Sequence, residues 1–223
     1  MASTAIALAA VAVNVAFATP TSTGVPRGTV VFLGDSNEVL SGTALDLDLL
    51  DRPNGYVVVN VARPGATIRF GDCARRVPCP TYNFWKARVA GTLATVRPDV
   101  WIVDLGINDT VGPGTAGSPG FANYGDKIDW LMHLLGDVPV LWTNLPCKAE
   151  PSSRSAGCNA VNAALAHAPG RHTNLDVLRW DAVANPHPEY LGAPPAGVHL
   201  TAAGAAAWSA LVTHRLDAMF TGS

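Results

Sequence analysis

The feature that most constrains the fold is an alternation of β-branched apolar runs with longer amphipathic segments, which begins at Gly28. Continuously apolar strands separated by helices are typical of a parallel sheet covered on both faces. The sequence therefore predicts an α/β fold, a three-layer α/β/α sandwich around a five-stranded parallel sheet of the flavodoxin-like type. The runs that predict strands are Thr29–Leu33, Tyr56–Val61, Val100–Leu105, Val138–Trp142 and Leu175–Leu178, and helices are predicted near 37–51, 84–97, 121–136, 156–168 and 201–219.

An apolar segment precedes this domain. Ala5–Ala18 is interrupted only by Asn14 and closes with Ala16-Phe17-Ala18, a small-x-small pattern typical of a signal-peptide cleavage site. The run is shorter than the roughly 20 apolar residues that span a bilayer. No Lys or Arg precedes it, so the end of a longer membrane segment and an Ala-rich helix packed on the domain stay open as alternatives.

These patterns predict three parts. Residues 1–18 are a signal-peptide-like or membrane-proximal segment, residues 19–27 are a linker rich in Thr, Ser and Pro, and residues 28–223 are the folded domain. Whether residues 1–18 are a signal peptide or the end of a membrane segment, we expect the domain to lie outside the cytoplasm, secreted or in the cell envelope. We expect no stable membrane span in its mature part. The sequence does not indicate an oligomeric state.

The four cysteines form two close pairs, Cys73/Cys79 and Cys147/Cys158, in segments that resemble loops. An even number in an exported chain favours disulfides, and four cysteines allow three connectivities, of which the local one closes two short loops. A zinc site is disfavoured because the spacings are not CxxC and no His lies beside either pair.

Charge and motifs exclude several classes of function. The net charge is −2, and the 15 basic residues are scattered, so no electrostatic footprint for nucleic acid is present. The sequence contains no GxGxxG or P-loop motif and no metal-ligand cluster, so we expect neither a cofactor nor a metal.

Polar and glycine-rich clusters follow successive predicted strands, where ligand sites of parallel sheets form. Ser36 follows the first strand, Gly65 the second and Asn108 the third, and His199 directly precedes the last helix. A nucleophilic serine needs an imidazole base, and a glycine N–H and an asparagine amide suit an oxyanion. Each residue alone also fits a structural role: a helix cap, a loop histidine, a turn glycine and an Asx turn.

The four clusters in this order resemble the SGNH hydrolase superfamily, also called GDSL esterases and lipases. The matching blocks are Val31–Ser36, Arg63–Ala66, Gly106–Asp109 and Gly197–Thr201. The resemblance implies Ser36 as the nucleophile, His199 as the general base, and an oxyanion hole formed by the Ser36 and Gly65 backbone amides with the Asn108 side chain.

The chain departs from the family at the residue three before the histidine, normally an aspartate that orients the imidazole, which here is Ala196. Three groups are candidates for this orienting role: the backbone carbonyl of Ala196, Asp181 and Glu189. We favour the carbonyl, since it needs only a change of peptide orientation; inactivation of the site is the alternative.

The resemblance implies an exported carboxylic ester hydrolase, with activity reduced if Ala196 leaves the imidazole unoriented. It would cleave acetyl or short-chain esters of glycans or lipids through an acyl-enzyme. An O-acyltransferase of cell-envelope glycans and a catalytically impaired binding domain are the alternatives.

Two further predictions concern the surroundings of the site. We interpret Asp35 and Asp109 as residues that order their loops by accepting backbone N–H bonds. The aromatic residues after the second block either line an acyl or sugar pocket or pack in the core, and core packing is the preferred interpretation. They are Phe70, Tyr82, Phe84 and Trp85.

Overall fold

The five strands form one all-parallel sheet in the order β2-β1-β3-β4-β5, which confirms the predicted flavodoxin-like arrangement. The computed structural model describes residues 26–37, 45, 48–49, 55–68, 84–110, 124–147, 152–192 and 199–221. Each predicted strand is present: the last has the predicted bounds, and the ends of the other four differ by at most two residues. The strands are β1 (Thr29–Gly34), β2 (Val57–Asn60), β3 (Val100–Asp104), β4 (Val140–Thr143) and β5 (Leu175–Leu178).

The helices predicted near 84–97, 121–136, 156–168 and 201–219 are also present, and one short helix is additional. Most of the helix predicted near 37–51 lies outside the described residues. The helix between β5 and the histidine segment spans only five residues, too few for an apolar period to be visible in the sequence. Helical residues also follow β1, from Ser36. The helices are α1 (Phe84–Leu93), α2 (Tyr124–Leu135), α3 (Ser152–His167), α4 (Trp180–Ala184) and α5 (Ala202–Thr221), and 3₁₀ turns span Ile107–Thr110, Ala168–Gly170 and Pro188–Tyr190.

Side chains alternate between the two faces of the sheet and build two separate cores. Val31 and Trp101 belong to the core that includes residues of α1, α2 and α3. Phe32 and Ile102 belong to the core on the other face, together with residues of α4 and α5. The predicted three-layer sandwich is thereby confirmed.

The amino-terminal predictions concern residues that lie largely outside the described part of the structure. Residues 1–18 and most of the predicted linker 19–27 are in this category. Arg27, at the end of that linker, donates its N–H to Gly55 O at 2.9 Å and pairs with Asp217 at 2.9 Å. Within the described ranges, no helix combines the length and apolar character needed to cross a membrane.

One disulfide joins the carboxyl end of β4 to α3. It links Cys147 and Cys158, whose Cα atoms are 5.5 Å apart, and it matches the local pairing considered above. The second pair, Cys73 and Cys79, lies outside the described residues. The bond holds the β4 loop beside the edge of the sheet where the polar clusters gather.

Candidate active site

Ser36 and His199 form a hydrogen-bonded pair at the carboxyl edge of the sheet. The distance from Ser36 Oγ to His199 Nε2 is 3.0 Å, although 163 residues separate the two in sequence. Both side chains are partly buried. When Nε2 is unprotonated the serine hydroxyl donates to it, which is the arrangement that a serine nucleophile and its general base require.

Backbone pairing holds the residues on both sides of His199. Leu200 and Leu191 form an antiparallel bridge. Gly192 N–H donates to His199 O at 2.8 Å, and Thr201 N–H donates to Tyr190 O at 2.9 Å. The histidine therefore lies on a short paired segment.

The first turn of α5 packs closely against this segment. Thr201 Oγ1 accepts the Gly204 N–H at 3.2 Å and so caps the helix. A Cβ on Gly204 would lie 2.0 Å from Tyr190 O, closer than any side chain permits. Only glycine at this position lets the helix approach the backbone that pairs with the histidine segment.

Gly65 lies in the turn after β2, which is tied to the end of β1 because Arg63 N–H donates to Gly34 O at 3.0 Å. Its φ is +75°, which a residue with a side chain rarely adopts, while the space around its Cβ position is open. Ala66 N–H closes the turn by donating to Arg63 O at 3.1 Å. Conformation, not crowding, is therefore the reason for glycine in this loop.

Asn108 reaches the same edge from the 3₁₀ turn after β3. Its Nδ2 donates to Asp35 Oδ2 at 2.9 Å and to Ala66 O at 3.0 Å. Both amide hydrogens are thereby engaged, and the side chain links the loops that follow β1, β2 and β3. To donate to a substrate oxyanion, Asn108 would exchange one of these bonds, so its predicted role stays a prediction.

Asp35 orders the loop that carries Ser36. Its carboxylate accepts the Asn37 N–H at 2.9 Å and the Asn108 amide, and the residue is only 1% exposed. Burial raises the pKa of Asp35 well above its usual value, the Asp104 carboxylate adds to the rise, and the Asn37 N–H opposes it. Asp35, the residue before Ser36, thus links the Ser36 loop to the side-chain amide of Asn108.

Asp109 has a similar ordering role and a partner that the sequence analysis missed. Its Oδ2 accepts the Ile68 N–H at 2.9 Å, and its Oδ1 lies 2.7 Å from Lys127 Nζ. The Lys127 side chain is 4% exposed, so the ion pair is buried. Burial raises the pKa of Asp109, and Lys127 opposes the rise. A lysine on the apolar face of a predicted helix was the signal for this pair.

Trp85 packs in the core, as the preferred interpretation predicted. It is fully buried, and its indole Nε1 donates to Thr67 O at 2.8 Å. The bond fixes the chain just after Gly65. Phe70 and Tyr82, and the side chain of Phe84, lie outside the described part of the structure.

The two candidate orienting carboxylates bind other partners. Asp181 Oδ1 accepts from Arg179 Nε at 2.8 Å, and Glu189 Oε1 lies 2.9 Å from His187 Nδ1. Ala196 lies outside the described residues, so its carbonyl stays the predicted orienting group.

Asp104, at the end of β3, lines a small cavity beside the site. The cavity has a volume of about 10 Å³, enough for about one water molecule, and Asn37, Asn144, Trp180 and Leu200 also line it. The Asp104 carboxylate accepts the Thr143 hydroxyl at 2.8 Å. Loss of hydration raises the pKa of Asp104 from 3.8 to about 6, and the Thr143 bond opposes the rise.

Replacing Asp104 by asparagine is expected to stabilise the protein at pH 8 and to have little effect at pH 4. Because its pKa is higher in the folded state, the carboxyl group contributes stability at low pH that is lost as the pH rises through about 6. The amide keeps an oxygen for Thr143 and removes the charge, so we expect a gain of about 2 kcal/mol at pH 8. Denaturant unfolding at the two pH values measures it.

Asp137→Asn, the same change at an exposed position, is the matched control and is expected to shift stability little at either pH. An equal effect of Asp104→Asn at both pH values would show that its charge does not oppose folding.

Comparisons with known proteins agree with this arrangement. A family model described as "GDSL-like Lipase/Acylhydrolase family" matches residues 32–207. A lipase/acylhydrolase from Enterococcus faecalis superposes with a TM-score of 0.61 at 17% identity, over 86% of this chain and 96% of that one. The C-terminal catalytic domain of peptidoglycan O-acetyltransferase A from Streptococcus pneumoniae superposes with a TM-score of 0.60 at 20% identity, over 87% of this chain and 95% of that one. An acetyl esterase superposes with a TM-score of 0.57 at 16% identity, over 87% of this chain and 99% of that one. No curated protein is significantly similar in sequence.

Proposed function

The chain belongs to the GDSL-like lipase/acylhydrolase family, and from that premise we propose that it is an exported serine esterase or deacetylase. Its substrates would be small acyl esters, acetyl or short-chain, of glycans or lipids. The observation that carries the proposal is the 3.0 Å hydrogen bond between Ser36 Oγ and His199 Nε2. A serine and an imidazole so placed can form and hydrolyse an acyl-enzyme.

In the first half of the proposed reaction, Ser36 Oγ attacks the ester carbonyl carbon while His199 Nε2 takes the hydroxyl proton. The backbone N–H groups of Ser36 and Gly65 donate hydrogen bonds to the oxyanion. The Asn108 amide also donates to it if Asn108 gives up one of its two present hydrogen bonds. The tetrahedral intermediate then collapses: the bond to the alcohol oxygen breaks, His199 returns its proton to that oxygen, and the acyl group stays on Ser36.

In the second half, water replaces the alcohol. His199 Nε2 takes a proton from the water, the hydroxide oxygen attacks the acyl carbon, and the Ser36 ester bond breaks. Ser36 regains its proton from His199, and the carboxylic acid leaves. No cofactor enters either half.

Other observations support the choice of acyl group and location. Two proteins of similar fold are named as an acetyl esterase and a peptidoglycan O-acetyltransferase domain, which supports an acetyl donor here. The Cys147–Cys158 disulfide and the apolar run before the domain support export.

The acetyltransferase likeness also supports a second candidate, an O-acyltransferase of cell-envelope glycans. It would use the same acyl-enzyme, exclude water and admit an alcohol acceptor. A catalytically impaired binding domain is the third candidate, and it would not form an acyl-enzyme.

A rate profile over p-nitrophenyl acetate, butyrate and octanoate, beside acetylated sugars, tests the proposal. An esterase releases a burst of about one p-nitrophenol per protein, followed by steady turnover that falls with chain length. A burst that turns over only when a sugar alcohol is added identifies the transferase. Absence of both a burst and steady p-nitrophenol release contradicts the esterase and the transferase alike.

Replacing Ala196 by aspartate is expected to change kcat by only a few-fold. If the Ala196 carbonyl already orients His199, a carboxylate substitutes one acceptor for another. Steady-state turnover of p-nitrophenyl acetate by both proteins measures the change. A gain of roughly 10²–10⁴-fold, the range for orienting-group deletions in serine triads, would instead show that the native site is disabled.

A further inference from the structure

We propose that Asn37, the residue after the nucleophile, is a positioning residue that holds the His199 segment against the nucleophile's helix. The inference rests on the esterase function proposed above and adds to it the group that fixes the serine–imidazole distance. Asn37 acts through the backbone of Leu200, the residue after His199.

Two consecutive hydrogen bonds connect the same two segments. Ser36 Oγ meets His199 Nε2 at 3.0 Å, and Asn37 Oδ1 accepts the Leu200 N–H at 3.2 Å. Each bond spans 163 residues of sequence. The second bond therefore fixes the backbone next to the imidazole relative to the backbone next to the nucleophile.

The direction of the Leu200 N–H follows from the pairing of its segment. His199 O and Thr201 N both bond the segment 190–192, so these groups point toward it. Successive backbone groups of an extended chain point to opposite sides, and the Leu200 N–H therefore points away from that segment. It meets Asn37 there, so the histidine segment is held from both sides.

Asn37 is itself anchored. Its backbone N–H donates to Asp35 Oδ1 at 2.9 Å, and the other oxygen of that buried carboxylate holds Asn108. The Asn37 and Leu200 side chains line the small cavity beside Asp104, where the bond is partly buried. A bond shielded from water competes less with solvent, so it constrains its partners more firmly.

This constraint matters because general-base catalysis depends on placement of the base. A displacement of about 1 Å can lower a rate by about 100-fold. The aspartate that usually orients the imidazole in this family is absent at position 196, so backbone restraints on His199 carry more of the placement. Asn37 supplies the restraint that comes from the nucleophile's own helix.

The test compares Asn37→Leu with Asn37→Asp. Leucine has a similar branched shape and no acceptor, so we expect kcat for p-nitrophenyl acetate, and the burst rate, to fall about 10–100-fold with KM nearly unchanged. Aspartate keeps an acceptor oxygen in either protonation state, so Asn37→Asp should retain kcat within about five-fold of the native protein. The difference in kcat between the two variants then measures the effect of losing the acceptor.

Asn174→Leu is the matched control. Asn174 donates to Gly136 O and Val138 O at the amino end of β5, away from the site. Its replacement removes two hydrogen bonds of similar kind and is expected to lower the melting temperature while leaving kcat unchanged. Melting temperatures of all variants, measured together with kcat, separate a loss of stability from a loss of placement.

Three results would overturn the inference. They are a kcat for Asn37→Leu within two-fold of the native value, an Asn37→Asp variant as impaired as Asn37→Leu, and a change confined to KM. If the native protein shows neither a burst nor steady turnover, the proposed function fails and the inference fails with it. If the native burst is present and Asn37→Leu keeps its rate, only the inference fails.

Discussion

Ser36→Ala is expected to lower kcat for p-nitrophenyl acetate by about 10⁴–10⁶-fold, the scale seen when a serine nucleophile is removed. The change removes the atom that would carry the acyl group, so the p-nitrophenol burst disappears as well. Ser36 is the first residue of a helix, and Asp35, not Ser36, accepts the Asn37 N–H in its first turn, so the fold is expected to persist. Burst kinetics, intact-protein mass after acylation and a thermal melt measure the three effects.

Ser209→Ala provides the same chemical change at another place. Ser209 lies within α5, and its hydroxyl donates a hydrogen bond to Asp48. Asp48 lies twelve positions after Ser36 in the sequence. We expect this variant to keep its burst and its kcat. An undiminished burst in folded Ser36→Ala protein would rule out Ser36 as the nucleophile.

His199→Gln is expected to lower kcat by a similar factor, about 10⁴–10⁶-fold. Glutamine can place an amide near the position of Nε2 but cannot take the serine proton at neutral pH, so Ser36 stays a weak nucleophile. Groups that act as a unit are not additive, and the double variant should be no slower than about the worse single variant. Steady-state rates of the two single variants and the double variant measure the coupling.

His133→Gln is the control for this change, because His133 is exposed on the last turn of α2. Its kcat is expected to match that of the native protein. Multiplicative losses in the Ser36/His199 double variant would contradict a dyad, since they would mean that the two side chains act independently.

The regular elements were largely predictable because their signals are local. Val30, Val31, Phe32 and Leu33 are all fully buried, so both faces of β1 are covered, as a continuously apolar strand of a parallel sheet predicts. The five-residue helix α4 was missed because its single turn carries no measurable periodicity. Strand ends shifted by one or two residues because pairing with neighbours, not composition, sets where a strand stops.

Some features of the candidate site were likewise predictable from the sequence, and others were not. The identities of Ser36, Gly65, Asn108 and His199 follow from their positions at strand ends and from the resemblance to a family. The buried pair of Asp109 and Lys127 was missed, although Lys127 interrupts an apolar helix face. For Asn108, the sequence indicated an available amide donor, whereas the structure shows both of its hydrogens bonded.

By itself, the sequence determined the layered α/β fold and which residues could carry the chemistry, because apolar periodicity and short motifs are encoded in neighbouring residues. Only the tertiary structure decided that Ser36 and His199 meet at 3.0 Å, that Asn37 bonds the Leu200 backbone and that Gly204 admits the Tyr190 carbonyl. Each of these contacts joins segments that are distant in sequence, and the one at Gly204 also requires an approach too close for a side chain. They arise when the sheet brings its strand ends together and the helices pack against it, which no local pattern of residues specifies.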